Sequence, residues 1–151
     1  MSDESLTAES LLALIQDQGL RRAINASRKP PVPSRILQEL TTRTDELDAL
    51  HFVAAYPLSP SHLLEALADS EPPSSVLAHL ATNPRTPPHL LTQFSVHEDA
   101  SVRAHAAAHP QLPSREIHTL INDSSEAVRR AIAANAALRL PHQAALVADR
   151  A

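Results

Sequence analysis

Residues 98–117 read Glu98-Asp-Ala-Ser-Val-Arg-Ala-His-Ala-Ala-Ala-His-Pro-Gln-Leu-Pro-Ser-Arg-Glu-Ile117, and this stretch decides the fold because its pattern recurs along the chain. The segment Val102-Arg-Ala-His-Ala-Ala-Ala has counterparts in Leu20-Arg-Arg-Ala-Ile-Asn-Ala, Ala49-Leu-His-Phe-Val-Ala-Ala, Val76-Leu-Ala-His-Leu-Ala-Thr and Val128-Arg-Arg-Ala-Ile-Ala-Ala. Their starts are separated by 29, 27, 26 and 26 residues. A second marker follows in the first four repeats: Pro33-Ser-Arg-Ile-Leu, Pro60-Ser-His-Leu-Leu, Pro87-Pro-His-Leu-Leu and Pro113-Ser-Arg-Glu-Ile. In the fifth repeat strict spacing would place the proline at position 139, which is Arg139, and Pro141 follows two residues later, so the second segment there is irregular. Two independent markers on one period define a repeat architecture.

Each repeat reads as two short helices. In the first, apolar or small residues at offsets 0, 3, 4 and 7 make the stripe expected at 3.6 residues per turn. Offset 4 is Ile24, Val53, Leu80, Ala106 and Ile132, a predicted core column, and Leu40, Leu67, Phe94 and Leu120 are its counterpart on the second helix. Pro57, Pro84 and Pro110 stop the first helices, since proline donates no N–H and restricts the residue before it. The second proline then opens the next helix at its first position, where its φ is already helical. Acidic and hydroxylic stretches such as Asn122-Asp-Ser-Ser-Glu supply N-caps. No strand-like alternation appears. Helices this short are marginal alone, so neighbouring repeats must stack to bury a shared core. The expected fold is all-α, a solenoid of about five two-helix repeats over residues 20–151. Residues 1–19 are read as a tail and an N-terminal capping helix, with Leu11, Leu12 and Ile15 on one face, Thr7 or Ser5 as N-cap, and Gly19 as a left-handed C′ residue.

Composition excludes more than it assigns. With Gly19 the single glycine, no phosphate loop, dinucleotide fingerprint, nucleophile elbow or EF-hand loop can be written. The absence of cysteine removes disulfides, thiolate metal sites and a thiol nucleophile. Thirteen Lys plus Arg against seventeen Asp plus Glu give a formal charge of −4, against non-specific nucleic-acid binding, which needs a basic excess. No run of roughly 18 apolar residues exists to span a bilayer, and the acidic start Met1-Ser-Asp-Glu-Ser is unlike a secretory signal. A cytoplasmic protein is expected.

The pattern of residues 98–117 resembles the leucine-rich repeat variant (LRV) family, within the wider group of HEAT-like α-solenoids. The resemblance covers roughly residues 20–150 and is clearest from 76 to 135. It implies alternating helices, often α with 3₁₀, wound into a right-handed superhelix. The Val-Arg pair of the motif stands at Val102-Arg103 and Val128-Arg129, whereas Leu50 and Leu77 occupy the Arg position in the second and third repeats. Some relatives append an iron–sulfur module, for which this chain has no cysteine ligands. The resemblance implies a habit of binding and no reaction. HEAT-like repeats also occur in alkylpurine DNA glycosylases, but those need a basic wall and exposed aromatic residues. Here only Phe52, Tyr56 and Phe94 are aromatic, at or beside core columns.

The expected function is a non-enzymatic protein-interaction module that binds a partner protein or acidic peptide segment on a helical groove. Arg35, His62, His89 and Arg115 stand two residues past the opening proline and would stack into a basic or protonatable stripe, with Glu65 and His118 beside it. The alternative is nucleic-acid binding through Arg103, Arg129 and Arg130; the competing structural reading is an Arg–carboxylate network with Asp99 and Glu126. A monomer is expected, the alternative being an end-to-end homodimer through the C-terminal repeat, where Ile132, Leu138, Leu146 and Val147 are candidates for exposure. His105 and His109 stand at i, i+4, with His79 one repeat earlier, but no cysteine or obvious carboxylate completes a four-ligand site. His109 precedes Pro110 as Asn83 precedes Pro84, so it is read as a hydrogen-bonding residue at the helix end. No metal and no cofactor are expected. Elemental analysis of the dialysed protein should therefore find no stoichiometric transition metal; one zinc or iron per chain, lost with His105→Ala or His109→Ala, would reverse that assignment.

Overall fold

The computed structural model describes residues 6–136, and every regular element among them is helical. They fall into two compact units, divided at Pro87 and Pro88. The first holds α1 (Ala8–Gln18), α2 (Leu20–Ala26), α3 (Ser34–Thr42), α4 (Leu47–Ala55), α5 (Ser61–Asp69) and α6 (Ser74–Thr82). The second holds α7 (Pro88–Ser95), α8 (Ala100–Ala107), α9 (Ser114–Leu120) and a helix over residues 126–136, here α10. The second helices are α rather than 3₁₀.

In the first unit the helices pack as two rows. The first helices of successive repeats, α2, α4 and α6, lie side by side, and α1, α3 and α5 form the row behind them. The core columns are where the periodicity puts them: Ile24, Val53, Leu80, Ala106 and Ile132 are buried, as are Leu40, Leu67, Phe94 and Leu120. Ile132, proposed for exposure at the chain's end, is instead 1% exposed and packs with Leu112, Ile117, Leu120 and Val128. Leu138, Leu146 and Val147 lie outside the described residues.

α1 takes the place of a second helix ahead of α3, burying Ala8, Leu11, Leu12 and Ile15. Thr7 is its N-cap: the Thr7 side chain accepts from the Ser10 N–H, and the Ser10 hydroxyl oxygen accepts from the Thr7 N–H, a reciprocal box. Gly19 closes the helix with φ 86° and ψ 159°, which is not the left-handed helical cap expected but an extended, positive-φ conformation that only glycine adopts cheaply. Arg43 then ties α1 to the second-helix row, pairing with Glu9 of α1, with Glu39 of α3 at 2.8 Å, and with Glu46 at 3.2 Å. The Arg43 hydrogen bond, the Glu9 backbone N–H and the Arg43 charge hold the Glu9 carboxyl below its ordinary range.

Two expectations about helix ends are corrected. Pro33, Pro60 and Pro113 stand at the N-cap, one residue before the first helical position; their φ is near −60° but ψ is 141°, 146° and 140°, outside the helix. Their carbonyls accept the first helical N–H groups, as Pro33 O does from Ile36 and Leu37. Only α7 begins on a proline, Pro88. Of the acidic caps, Asp99 caps α8 by accepting from the Ser101 N–H, whereas Asp123 accepts from the Ser125 N–H, ahead of the helix.

The second correction is at offset 7, which is polar and buried throughout: Ser27, Tyr56, Asn83, His109 and Asn135. In the first unit Tyr56 Oη donates to Ser27 O at 2.8 Å and accepts the Val32 N–H at 3.1 Å. Asn83 Nδ2 donates to Ala54 O and Tyr56 O, both at 2.9 Å. In the second unit Asn135 Nδ2 makes the same pair of bonds to Ala107 O and His109 O, at 2.7 and 3.0 Å. The donated bonds end on carbonyls at the ends of the preceding first helices, of which Tyr56 O and His109 O also accept the Ser59 and Leu112 N–H groups of the following turn. Removing such a donor breaks two buried bonds and strands the one carbonyl without a second donor, at about 1–3 kcal/mol. Asn83→Ala should therefore lower unfolding free energy by about 2–3 kcal/mol in urea titration, whereas Asn25→Ala, at an exposed position, should stay within about 0.5 kcal/mol.

Candidate functional site

The residues of the second-helix stripe stand at one register in each unit. Arg35 and His62 are the second residues of α3 and α5, which pack side by side, and both are exposed. His89 and Arg115 hold the same place on α7 and α9, which also pack together. His118 is exposed on α9 and Glu65 half-buried on α5. Arg115 is 78% exposed, and its Nε donates to Glu116 Oε1 at 2.9 Å. Glu116 sits where Ile36, Leu63 and Leu90 sit in the other repeats, and it is buried, with Ser95 Oγ donating to its second oxygen at 3.5 Å.

The arginines named for phosphate contact have structural partners. Arg103 is bidentate to Asp123, with Nε–Oδ2 2.9 Å and Nη2–Oδ1 3.1 Å, and its remaining nitrogen donates to His97 O and Glu98 O. Its side chain is 15% exposed. Burial pushes the Asp123 carboxyl up, but the Arg103 hydrogen bonds, the Ser125 N–H and the charges of Arg103 and Arg129 together hold it below its ordinary value. Arg129 donates to Asp123 O and Arg130 to Glu126, and Asp123 is the bidentate carboxylate of Arg103. His105 Nδ1 meets Ser101 O at 2.7 Å, and His109 Nδ1 accepts the Gln111 N–H at 3.0 Å, a helix-end role like that of Asn83, whose Oδ1 accepts from the Arg85 N–H. No group of three His, Cys, Asp or Glu that could hold a metal occurs among the described residues.

A concave feature of the first unit lies on the first-helix row, where sequence reasoning placed only the alternative Arg103, Arg129 and Arg130 site, in later repeats. A cleft of about 470 Å³ runs across α2, α4 and α6. Leu20, Ile24, Ala55, Pro57 and Pro84 supply its apolar surface; Arg21, Asn25, Arg28, His79, Thr82 and Asn83 supply the polar groups. Local sequence builds it in two ways. Ala55 ends the middle helix in a methyl group, leaving space between α2 and α6. The first repeat is also the longest: its 29-residue spacing adds a turn at residues 27–31, which carries Arg28 and is pinned at both ends by Tyr56 Oη. That longer spacing was the available signal. Arg21 and Arg28 are exposed and make no ion pair among the described residues.

His79 in the cleft wall meets His51 of α4 edge to face, with ring centroids 5.1 Å apart. His51 Nε2 lies 2.9 Å from Ser75 Oγ. Burial pushes the His51 pKa below 6.5, against a weaker upward pull from Asp48. No family model, curated protein or solved structure matches the chain. Among the described residues no helix is long and apolar enough to cross a membrane.

Because the folded state holds His51 less protonated than the unfolded chain does, its contribution is complete above pH 6.5 and is lost as pH falls through the lowered folded value. Urea midpoints at pH 7.5 and 5.5, about one unit either side of that value, should show the natural protein losing more stability on acidification than His51→Gln. Equal losses would mean that burial leaves this imidazole unperturbed.

Proposed function

We propose that this chain is a non-enzymatic protein-interaction module, an LRV- or HEAT-like solenoid of about five two-helix repeats that holds a segment of a partner protein against its first-helix row. The repeat period and the two-row packing of α1 to α6 support the solenoid reading. The observation that carries the functional reading is the cleft across α2, α4 and α6, where apolar surface and guanidinium groups without an ion-pair partner among the described residues face one space. Clefts of this size with a few convergent polar groups on apolar walls are the usual form of a recognition site. Its donors hold a ligand by charge and hydrogen bonding. The nucleic-acid reading has less support, because Arg103 is committed to Asp123 and to two backbone carbonyls.

Panning a random peptide library against the natural protein and a Thr82→Trp variant tests this. Thr82 is exposed in the cleft wall, so an indole there fills the space without entering the core. Peptides selected on the natural protein should lose about tenfold or more in affinity for Thr82→Trp. Selected peptides indifferent to Thr82→Trp but lost on a paired Arg35→Glu and His62→Glu variant would move the site to the second helices. No selectable peptide at all would overturn the module reading.

A further inference from the structure

Resting on that reading of the cleft, we infer that its occupant is an acidic peptide segment with two carboxylates about 10 Å apart, one on Arg21 and the other on Arg28. Seven residues separate these arginines, two helical turns, so they lie on one side of α2 about 10.5 Å apart along its axis. Ile24 and Asn25 fall between them on the same side, and all four line the cleft. Arg28 is two residues past the end of α2, but its N–H still reaches Asn25 O and the Ser27 N–H reaches Ala23 O, so the turn carries on in the helix direction.

Charge selects the ligand class. The chain has seventeen Asp and Glu, yet among the described residues none lines this cleft and none pairs with either arginine. A guanidinium presents a planar fork of donors that matches a carboxylate in a bidentate pair. Two such forks about 10 Å apart fit a segment in polyproline II conformation, where residues i and i+3 lie on one side about 9.3 Å apart. The residues between them would rest on Ala55 and Pro57 of the opposite wall. A nucleic acid fits less well. Its non-specific affinity comes from about six to ten phosphate contacts, two arginines supply only two, and the lining has no Phe, Tyr or Trp for a base to stack on, its one aromatic ring being the His79 imidazole already packed against His51.

The test is fluorescence anisotropy with fluorescein-labelled Ser-Glu-Pro-Leu-Glu-Ser, its counterpart with both Glu replaced by Gln, and a duplex DNA oligonucleotide. The acidic peptide should bind about tenfold or more tightly than the Gln peptide. Its affinity should fall as salt rises from about 50 to 200 mM. Arg21→Gln and Arg28→Gln should each weaken it about fivefold or more, while Arg22→Gln, the same charge change on another side of α2, should alter it less than about twofold. Equal affinity for the two peptides, or equal effects of the three substitutions, overturns the inference. So does no binding of the acidic peptide, or tighter binding of the duplex that Arg21→Gln and Arg28→Gln abolish. If the acidic peptide fails while library peptides still depend on Thr82, the acidic occupant is wrong and the module reading stands. Loss of both takes the module reading with it.

Discussion

Short helices laid side by side bury carbonyls that no helix of seven to nine residues can satisfy by itself, and the described structure depends on how those carbonyls are met. Backbone N–H groups of the following turn meet some of them, as Ser59 does Tyr56 O, and buried side chains meet the rest. Tyr56, Asn83 and Asn135 do this from equivalent positions, each reaching back to the end of the first helix one repeat earlier. No buried side-chain nitrogen or oxygen among the described residues lacks a partner, so the polar column is a closed system. It couples neighbours more specifically than alanine-rich contact can, because a methyl surface sets distance but not register.

The same constraint explains where the chain has freedom. With the ends of α2, α4 and α8 tied to the next repeat, variation in repeat length must be taken up in the following turn. The first repeat uses that freedom, and Tyr56 is the residue that permits it: a phenol reaches farther than an amide and spans a longer turn from Ser27 O to the Val32 N–H. In the third and fifth repeats, where the spacing is shorter, asparagine suffices. The cleft is thus a by-product of one long turn and one small residue, Ala55, set between two helices that the polar column holds in place.

Basic residues divide into two populations on the same grounds. Arg43 and Arg103 are structural, each meeting carboxylates or carbonyls from separate segments and drawing them together. Arg21 and Arg28 meet none of the described carboxylates. An arginine within reach of several acceptors is a staple, whereas one held over apolar surface without them keeps its charge available to a ligand. The stripe of Arg35, His62, His89 and Arg115 is intermediate: exposed, repeated at one register in each unit, and in the case of Arg115 beside the acidic neighbour Glu116.

Sequence by itself determined the helices, their order and their core faces. Periodicity and proline act within a few residues, and burial of Val53, Leu80, Leu67 and Phe94 follows from spacing alone. His109 was legible for the same reason, by its place before Pro110. The offset-7 column was not: Tyr56 and Asn135 look like a filler and a surface residue until the carbonyls facing them come from the preceding repeat. Likewise no local signal distinguishes Arg21 from Arg103, since both follow the first apolar residue of a repeat. One faces a cleft and the other faces Asp123, and only the packing of distant segments decides which acceptors come within hydrogen-bonding reach of each guanidinium.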